Sequence, residues 1–315
     1  MGFWIRFVIT RLTQALIVAL MVGLVSFLLV EALPGDQAYR IAAGRYGEDL
    51  VNTAAAEAVR QELGLDRPWF VRLWAWLGDL ATLNLGVSLV SNESVADELR
   101  VQFGATLGLS VAALALSMLV GPPLGVLMAL RPGGLFDLAG LAVSTAVRAL
   151  PSFVIGLVLM IVLAGWLGLL PAAGYDRPVS WVLPTVALAL GLAAVSARVT
   201  RNAALQVMNS GYIAFARTKG LPTSAIVWRH TIRNAAVPIV AYLGVQLVYL
   251  IEGVVVIESL FAWPGIGHAL VHAVLSRDIP MVQGTALAMG LTFVALNAVV
   301  DAVCHGLDPR GAGRA

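Results

Sequence analysis

The sequence has few charged residues, almost no lysine and almost no cysteine. Only 12% of its 315 residues are charged and 59% are hydrophobic, whereas soluble domains carry roughly 25% charged residues. A chain of this composition cannot cover a water-exposed surface. Its formal net charge of +2 is also too small to support nucleic-acid binding as the main function. The composition therefore predicts a membrane protein with no nucleic-acid partner.

The missing lysines and cysteines exclude two kinds of chemistry. Lys219 is the only lysine, and no glycine precedes it, so the chain lacks a phosphate-binding loop of the G-x-x-x-x-G-K-S/T type. Cys304 is the only cysteine, which excludes an intrachain disulfide and a multi-thiolate metal site. Paired carboxylates, H-E-x-x-H and Ser/His/Asp arrangements are also absent from the predicted membrane segments. We therefore predict a non-catalytic chain with no cofactor or metal site of its own.

Six apolar segments are long enough to cross a bilayer, whose hydrocarbon core of ~30 Å requires about 20 apolar helical residues. They are 12–33, 103–130, 138–170, 182–207, 237–257 and 281–304. Pro151 interrupts the third segment, so we expect a bend there. The first segment exceeds the usual length of a signal-peptide core and is expected to be a retained anchor. The predicted fold class is all-α, with six transmembrane helices.

The basic residues predict the orientation of these helices. They concentrate in the termini and short connections on one side, at Arg6, Arg11, Arg131, Arg198, Arg201, Arg217, Lys219, Arg229, Arg233, Arg310 and Arg314. By the positive-inside rule, both termini are cytoplasmic. Segment 34–100 then lies outside, with helices expected over 54–63 and 69–80, the second rich in tryptophan and suited to the membrane interface. The predicted divisions are 1–33, 34–100, 101–304 and 305–315.

The connection between the fourth and fifth segments, residues 211–234, is rich in basic side chains. Gly220 and Pro222 divide it into two helix-like halves. Glycine is suited to ending the first half, and Thr223 or Ser224 to capping the second. Two interpretations fit this pattern: a basic loop that only obeys the positive-inside rule, or a short docking element.

Residues 211–234 resemble the coupling loop of permease subunits in binding-protein-dependent bacterial ABC importers, in the group that includes dipeptide, oligopeptide and nickel systems. The matching stretches are Ala216-Arg-Thr-Lys-Gly-Leu221 and Arg229-His-Thr-Ile-Arg-Asn-Ala-Ala-Val-Pro238. Further similar motifs follow in the family's order: Leu63-Gly-Leu-Asp-Arg-Pro68, Leu183-Pro184, Glu258-Ser-Leu-Phe-Ala-Trp-Pro-Gly-Ile-Gly267, Arg277-Asp278 and Leu307-Asp-Pro-Arg310. Ala214 and Phe215 depart from the family's E-A-A signature.

The resemblance implies a type I ABC importer permease of the bacterial inner membrane. It implies as partners a homologous second permease subunit, two ATPase subunits that bind ATP and Mg, an extracytoplasmic solute-binding protein and membrane lipid. The residues that it assigns to ATPase coupling are Ala214, Ala216, Arg217, Lys219, Gly220, Leu221, Arg229, His230, Arg233 and Asn234. The implied cargo is di- or oligopeptides, with nickel or a metal chelate as the alternative. Composition and topology alone fit a stand-alone secondary transporter or channel equally well.

Two charged residues stand out in the interior of the predicted spans. Charges in a bilayer are costly and usually face a cavity or a partner. Arg148 lies in the third span, and Glu252 lies in the fifth, where Gln246 and Tyr249 share its helix face. Together with Pro151, these residues form the predicted translocation pathway. The two charges either pair with each other or with the sister subunit, contact the cargo, or face a wet interface.

The last candidates lie at the predicted external end of the fifth span. Four residues of the turn there, either an interfacial anchor or part of an external gate, are Phe261, Trp263, Pro264 and Gly265. His268 and His272 are spaced i, i+4, which fits an ordinary helix or a metal contact. Glu258, at the end of its helix, is expected to be solvated.

Overall fold

The computed structural model describes residues 3–32, 35–47, 52–82, 84–276 and 278–307. In these ranges the regular structure is helical, apart from an isolated antiparallel bridge between Val87 and Ser94. The helices are α1 (Phe3–Ala32), α2 (Gln37–Tyr46), α3 (Thr53–Glu62), α4 (Trp69–Ala81), α5 (Val95–Leu130), α6 (Leu135–Ala149), α7 (Ser152–Leu159), α8 (Val182–Met208), α9 (Gly211–Thr218), α10 (Thr223–Ile226), α11 (Ile232–Leu260), α12 (Ile266–Leu275) and α13 (Ile279–Leu307). The predicted all-α class is confirmed.

The described residues of the six predicted membrane segments are mainly helical. By length and composition, four described stretches could cross a membrane: Trp4–Leu29, Val95–Leu130, Pro178–Met208 and Ile279–Ala302. The bent pair Leu135–Ala149 and Ser152–Trp166 makes a fifth if it forms one span. The remaining predicted segment, 237–257, lies within the 29-residue α11.

The third predicted segment is broken at the proline. Helix α6 ends at Ala149, α7 begins at Ser152, and the two axes differ by 100°. Leu150 is extended (φ −93°, ψ 133°) because a residue before proline avoids the helical region. The predicted bend near Pro151 is therefore confirmed, and it separates two helices.

The chain forms two compact units, and the first consists of Met1–Thr106 and Pro264–Ala295. Helices α2 and α3 pair here around a core of Ile41, Ala42, Val59 and Leu89. Asp36 caps α2 by accepting a hydrogen bond from the Ala38 amide at 2.9 Å, and it also pairs with Arg60. The predicted helices over 54–63 and 69–80 are confirmed as α3 and α4, whereas α2 was not predicted.

Helix α4 has two different faces. On one face, Trp76 donates from Nε1 to Gln283 Oε1 at 3.0 Å and packs against Gly23 of α1. Phe70 and Trp74 of the other face are exposed, and so is Trp69 at the start of the helix. This arrangement of partly buried and exposed aromatic rings agrees with the predicted amphipathic helix.

The second unit consists of Leu107–Trp263 and Leu296–Ala315. Helix α8 packs against α6, α7 and α11. Two glycines of α5 also allow close approach to α8: a β-carbon at Gly121 would lie 2.8 Å from the carbonyl oxygen of Ala193, and one at Gly125 would lie 2.9 Å from the amide nitrogen of Arg201. Glycines four residues apart commonly permit such backbone contact between membrane helices.

A buried ion pair joins α6 to α8 in this unit. The Asp137 side chain is fully buried, and Arg201 donates to it from Nη2 at 2.6 Å and also from Nε. The backbone amide of Gly133 donates to the same carboxylate at 2.8 Å. These contacts fix the start of α6 against α8.

Candidate coupling segment and translocation cavity

The candidate coupling segment, residues 211–234, begins with helix α9. Its small core contains Ile213, Ala216 and Ile226, with Val207 and Leu221 packed against it. Helix α9 ends at Thr218, and Gly220, which follows the C-cap residue Lys219, has a left-handed φ of +76°. The Gly220 amide donates to Arg217 O at 2.9 Å and the Leu221 amide to Ala216 O at 3.3 Å, a pattern typical of glycine-terminated helices. The predicted role of this glycine in ending the first half agrees with this geometry.

The second half of the segment is continuous with α11. Helix α10 passes through a π-helical turn, Val227–Thr231, directly into α11. Pro222 occupies the N-cap position, and the helix start has no side-chain cap. The prediction that Thr223 or Ser224 caps this half was wrong, because Thr223 is already the first helical residue.

The segment exposes three aromatic side chains. Tyr212, Phe215 and Trp228 are 48%, 60% and 73% exposed. Lys219 Nζ lies 4.6 Å from the centroid of the Phe215 ring, a cation–π contact. We call Tyr212, Phe215 and Lys219 the α9 face. Its aromatic residues were not predicted as functional. The sequence signal was their spacing, because Tyr212 and Phe215 lie three residues apart and outside the buried face of α9.

The structure separates the predicted coupling residues into two groups. Ala216 is buried in the segment core and Leu221 packs against that core, so both hold the segment together. Seven others are exposed: Ala214, Arg217, Lys219, Gly220, Arg229, Arg233 and Asn234. His230 is half-buried and its ring lies 6.5 Å from that of Tyr212.

A cavity of about 550 Å³ lies among α6, α7, α8 and α11 of the second unit. Its polar lining comes from three helices and includes Arg148, Ser152, Tyr242 and Gln246. Arg148 belongs to the last turn of α6, directly before the Pro151 break. Volumes of about 300–1,000 Å³ are typical of sites for small ligands.

Gln246, which also lines this cavity, is tied to helix α8 by its side-chain amide. The residue is 1% exposed, and Nε2 donates to Leu192 O at 2.7 Å and to Ser196 Oγ at 2.6 Å. A backbone carbonyl oxygen can only accept, so the atom next to Leu192 O must be the amide nitrogen. Oε1 has no hydrogen-bond partner among the described residues.

Three of the five predicted pathway residues line this one cavity: Arg148, Pro151 and Gln246. The side chains of Tyr249 and Glu252 lie outside the described part of the structure, so an Arg148–Glu252 ion pair stays a prediction. Tyr242, which was not predicted, lies one helical turn before Gln246 and lines the same cavity. The sequence signal for Tyr242 was its spacing of four residues from Gln246, which puts the two side chains on one face of α11.

Two of the predicted gate residues are buried. Phe261 and Trp263 are 1% and 0% exposed. The Trp263 ring packs edge-on against Tyr175 and Trp181, with centroids 4.7 and 4.6 Å away. The Phe261 carbonyl accepts from the Gly174 amide at 2.9 Å. These contacts favour a fixed structural role over a moving gate. We call the packing of Trp263 against Tyr175 and Trp181 the staple. Gly265 is the N-cap residue of α12, and Pro264 is partly buried.

The remaining candidates are Glu258 and the two histidines His268 and His272. Glu258 is fully buried, so the expectation that it is solvated was wrong. His268 and His272 lie on α12 with ring centroids 4.4 Å apart. Burial and the neighbouring His272 lower the pKa of His268. Among the described residues, no three His, Cys, Asp or Glu side chains are grouped to hold a metal ion.

Similarity to known proteins extends over almost the whole chain. The model of the family described as "Binding-protein-dependent transport system inner membrane component" matches residues 121–312, and the corresponding N-terminal model matches residues 4–110. A glutathione transport system permease protein, GsiC, of Pectobacterium atrosepticum is 35% identical over 305 residues, 97% of this chain and 98% of that protein. A putative peptide transport system permease protein of Brucella suis biovar 1 is 37% identical over 311 residues, with coverage of 96% and 98%.

Solved structures share the fold. A chain of the inward-facing MetNI methionine ABC transporter aligns with a TM-score of 0.57 and 19% identity, covering 67% of this chain and 96% of that one. An amino acid ABC transporter solved with histidines aligns with a TM-score of 0.53 and 18% identity, covering 68% and 94%. The predicted type I ABC importer permease fold is thus confirmed. The chain belongs to the family of inner membrane components of binding-protein-dependent transport systems.

Proposed function

We propose that this chain imports short peptides as one permease subunit of an ATP-driven complex. Its relatives named above are a glutathione permease and a putative peptide permease, which favours peptides over the nickel or metal-chelate alternative. Family membership likewise favours a subunit of a larger importer over a stand-alone transporter or channel. The cavity beside Arg148 has a size that suits a short peptide.

Each proposed partner has a separate role in transport. A homologous permease completes the translocation pathway, an extracytoplasmic binding protein delivers cargo, and membrane lipid surrounds the spans. Two ATPase subunits bind ATP and Mg, because this chain has no glycine-lysine pair with which to bind nucleotide phosphates. Both termini and the coupling segment are cytoplasmic in this proposal, as the arginine distribution predicts.

The α9 face is the observation that carries the ATPase docking. An exposed aromatic pair with a lysine on one ring is costly to leave in water and is typical of binding hot spots. The small core under α9 and the left-handed Gly220 fix that face relative to α11. Closure of the ATPases on nucleotide would then move α11, which lines the cavity, as a rigid lever.

A matched pair of variants tests this docking. Phe215→Ala removes an aromatic side chain that is 60% exposed, and Phe136→Ala removes one that is 54% exposed on α6, outside the coupling segment. Loss of a hot-spot aromatic costs about 2 kcal/mol or more, a weakening of roughly 30-fold in affinity.

We expect Phe215→Ala to release the ATPase subunits during affinity purification through this chain and to abolish ATP-driven peptide uptake. Phe136→Ala should behave as wild type. Equal retention of the ATPases by the two variants, with normal uptake, would contradict docking through the α9 face.

A further inference from the structure

An apolar groove lies between α5 and the start of α11 in the second unit. It has a volume of about 640 Å³, and its lining comes from α5 between Met118 and Leu130, from Thr200 of α8, from the coupling segment between residues 223 and 228, and from the first turns of α11. Among the described residues that line it, none is charged and only three carry a hydroxyl group. We call it the α5–α11 groove. Its chemistry is that of a binding site for hydrocarbon.

The dimensions of the groove suit an acyl chain better than a protein helix. Met118 and Leu130 are 12 residues apart on α5, which corresponds to about 18 Å of helix. One leaflet contributes half of the ~30 Å hydrocarbon core, so its acyl chains extend over about 15 Å. A volume of about 640 Å³ spread over about 18 Å gives a mean cross-section of about 36 Å², or a width of about 7 Å. A helix with its side chains is about 10–12 Å wide and does not fit.

The segments that form the groove carry positive charge and no negative charge. Arg131 follows directly on the groove at the end of α5, and Arg229 lies next to a groove residue of the coupling segment. Both arginines are exposed, and neither has an acidic partner in the described part of the chain. Residues 118–134 and 221–239 contain no Asp or Glu. Basic residues beside a groove between membrane helices are typical of sites for anionic lipid headgroups.

Trp228 indicates where the groove meets the membrane surface. Its side chain lines the groove, is 73% exposed and does not belong to the α9 face. Tryptophan favours the level of the lipid headgroups, because its ring is apolar and its N–H is polar. The groove therefore opens at the depth where a headgroup would meet Arg229.

We propose that the α5–α11 groove binds one acyl chain of an anionic phospholipid, whose headgroup contacts Arg131 and Arg229. The apolar lining and the length of the groove select the chain, and the two arginines select the negative charge. The bound lipid would connect α5 to the start of α11, the helix that carries the coupling segment. This inference needs the membrane location of the family and does not depend on the peptide cargo.

The test counts lipids on the complete complex by native mass spectrometry, after detergent exchange has removed its own lipids. The complex is titrated with dioleoyl phosphatidylglycerol, which is anionic, and with dioleoyl phosphatidylcholine, which has the same chains and no net charge. One arginine near an anionic headgroup favours binding by about fivefold. The tightest site of the wild-type complex should therefore prefer phosphatidylglycerol by at least about fivefold.

Two pairs of variants locate this site. Arg131→Gln should reduce the preference about fivefold, whereas Arg6→Gln should keep it, because Arg6 is an exposed arginine of α1 in the other unit. Val126→Phe places a larger side chain in the groove and should remove the tightest phosphatidylglycerol. Val120→Phe is its control, because Val120 is an exposed residue of the same helix that does not line the groove.

Equal binding of the two lipids by the wild-type complex would overturn the inference, whether or not the variants assemble. A Val126→Phe complex that keeps its tightest phosphatidylglycerol would also overturn it. If Val126→Phe instead releases the second permease subunit, the groove is an interface between the permeases and the lipid assignment is wrong. Failure of the complex to import peptides would affect the proposed function and leave this inference intact.

Discussion

The contact of α5 with α8 predicts the effect of adding a single carbon atom. In Gly125→Ala, the new β-carbon would lie 2.9 Å from the amide nitrogen of Arg201 and closer still to the carbonyl oxygen of Ala197. Both are backbone atoms, so no side-chain rotation relieves the overlap and the two helices must separate. Overpacking of this kind costs about 1–3 kcal/mol. Alanine also has a higher helix propensity than glycine. A control Gly→Ala substitution elsewhere in α5 has the same gain, so the comparison isolates the overlap.

Gly104→Ala is the control, because it lies on the same helix and a β-carbon there would meet no atom within 4 Å. Thermal unfolding of the detergent-solubilised complexes, followed by the fraction that remains monodisperse on size exclusion, measures the difference. We expect Gly125→Ala to unfold several degrees below wild type and Gly104→Ala at or above it. Equal midpoints for the two variants would refute the close packing of α5 on α8.

Three further effects follow from single contacts. Asp137→Asn leaves Arg201 without its anionic partner and should lower the yield of folded complex on size exclusion. Gly220→Ala places a β-carbon at φ +76° with no atom nearby, so backbone strain of roughly 1–2 kcal/mol should reduce ATP-driven uptake while expression stays normal. The hydrogen bond from Arg45 lowers the pKa of Glu62 from 4.5. A lowered carboxylate pKa stabilises the fold above the ordinary pKa and stops doing so as pH falls through the folded value. Arg45→Gln should therefore lower the melting temperature at pH 7 and have no effect at a pH below the folded pKa, and an equal effect at both would contradict it.

Features governed by local signals could be predicted from the sequence. The four or five candidate spans follow from the lengths of the apolar runs, and the break before α7 follows from Pro151, which removes a donor and forces Leu150 to be extended. The end of α9 follows from Gly220, because a left-handed turn favours glycine. In each case the structural outcome depends on residues within one or two helical turns.

Features governed by distant contacts could not be predicted. Helix α2 has a weakly apolar sequence, and it buries Ile41 and Ala42 only through its pairing with α3 and Leu89. The staple around Trp263 depends on Tyr175, which is far away in the sequence. Tertiary packing also buries Glu258, so its place at a helix end was misleading.

The candidate site also combines residues that the sequence indicates with features that depend on distant contacts. Charge and spacing within one helix indicated Arg148 and Gln246, but their common cavity depends on how α6, α7, α8 and α11 pack. The orientation of the Gln246 amide is set by Leu192 and Ser196 of a different helix, which no periodicity in α11 reveals. The exposed aromatic residues of α9 could have been recognised from their position opposite its buried residues.

The most direct test of the central claim is peptide uptake by proteoliposomes that contain either this chain alone or the chain with its second permease, ATPases and binding protein. A subunit that obtains its energy from separate ATPases should accumulate no peptide alone, with or without an ion gradient. With the full complex, uptake should require ATP on the side of the ATPases. Accumulation of peptide by the isolated chain would contradict the account.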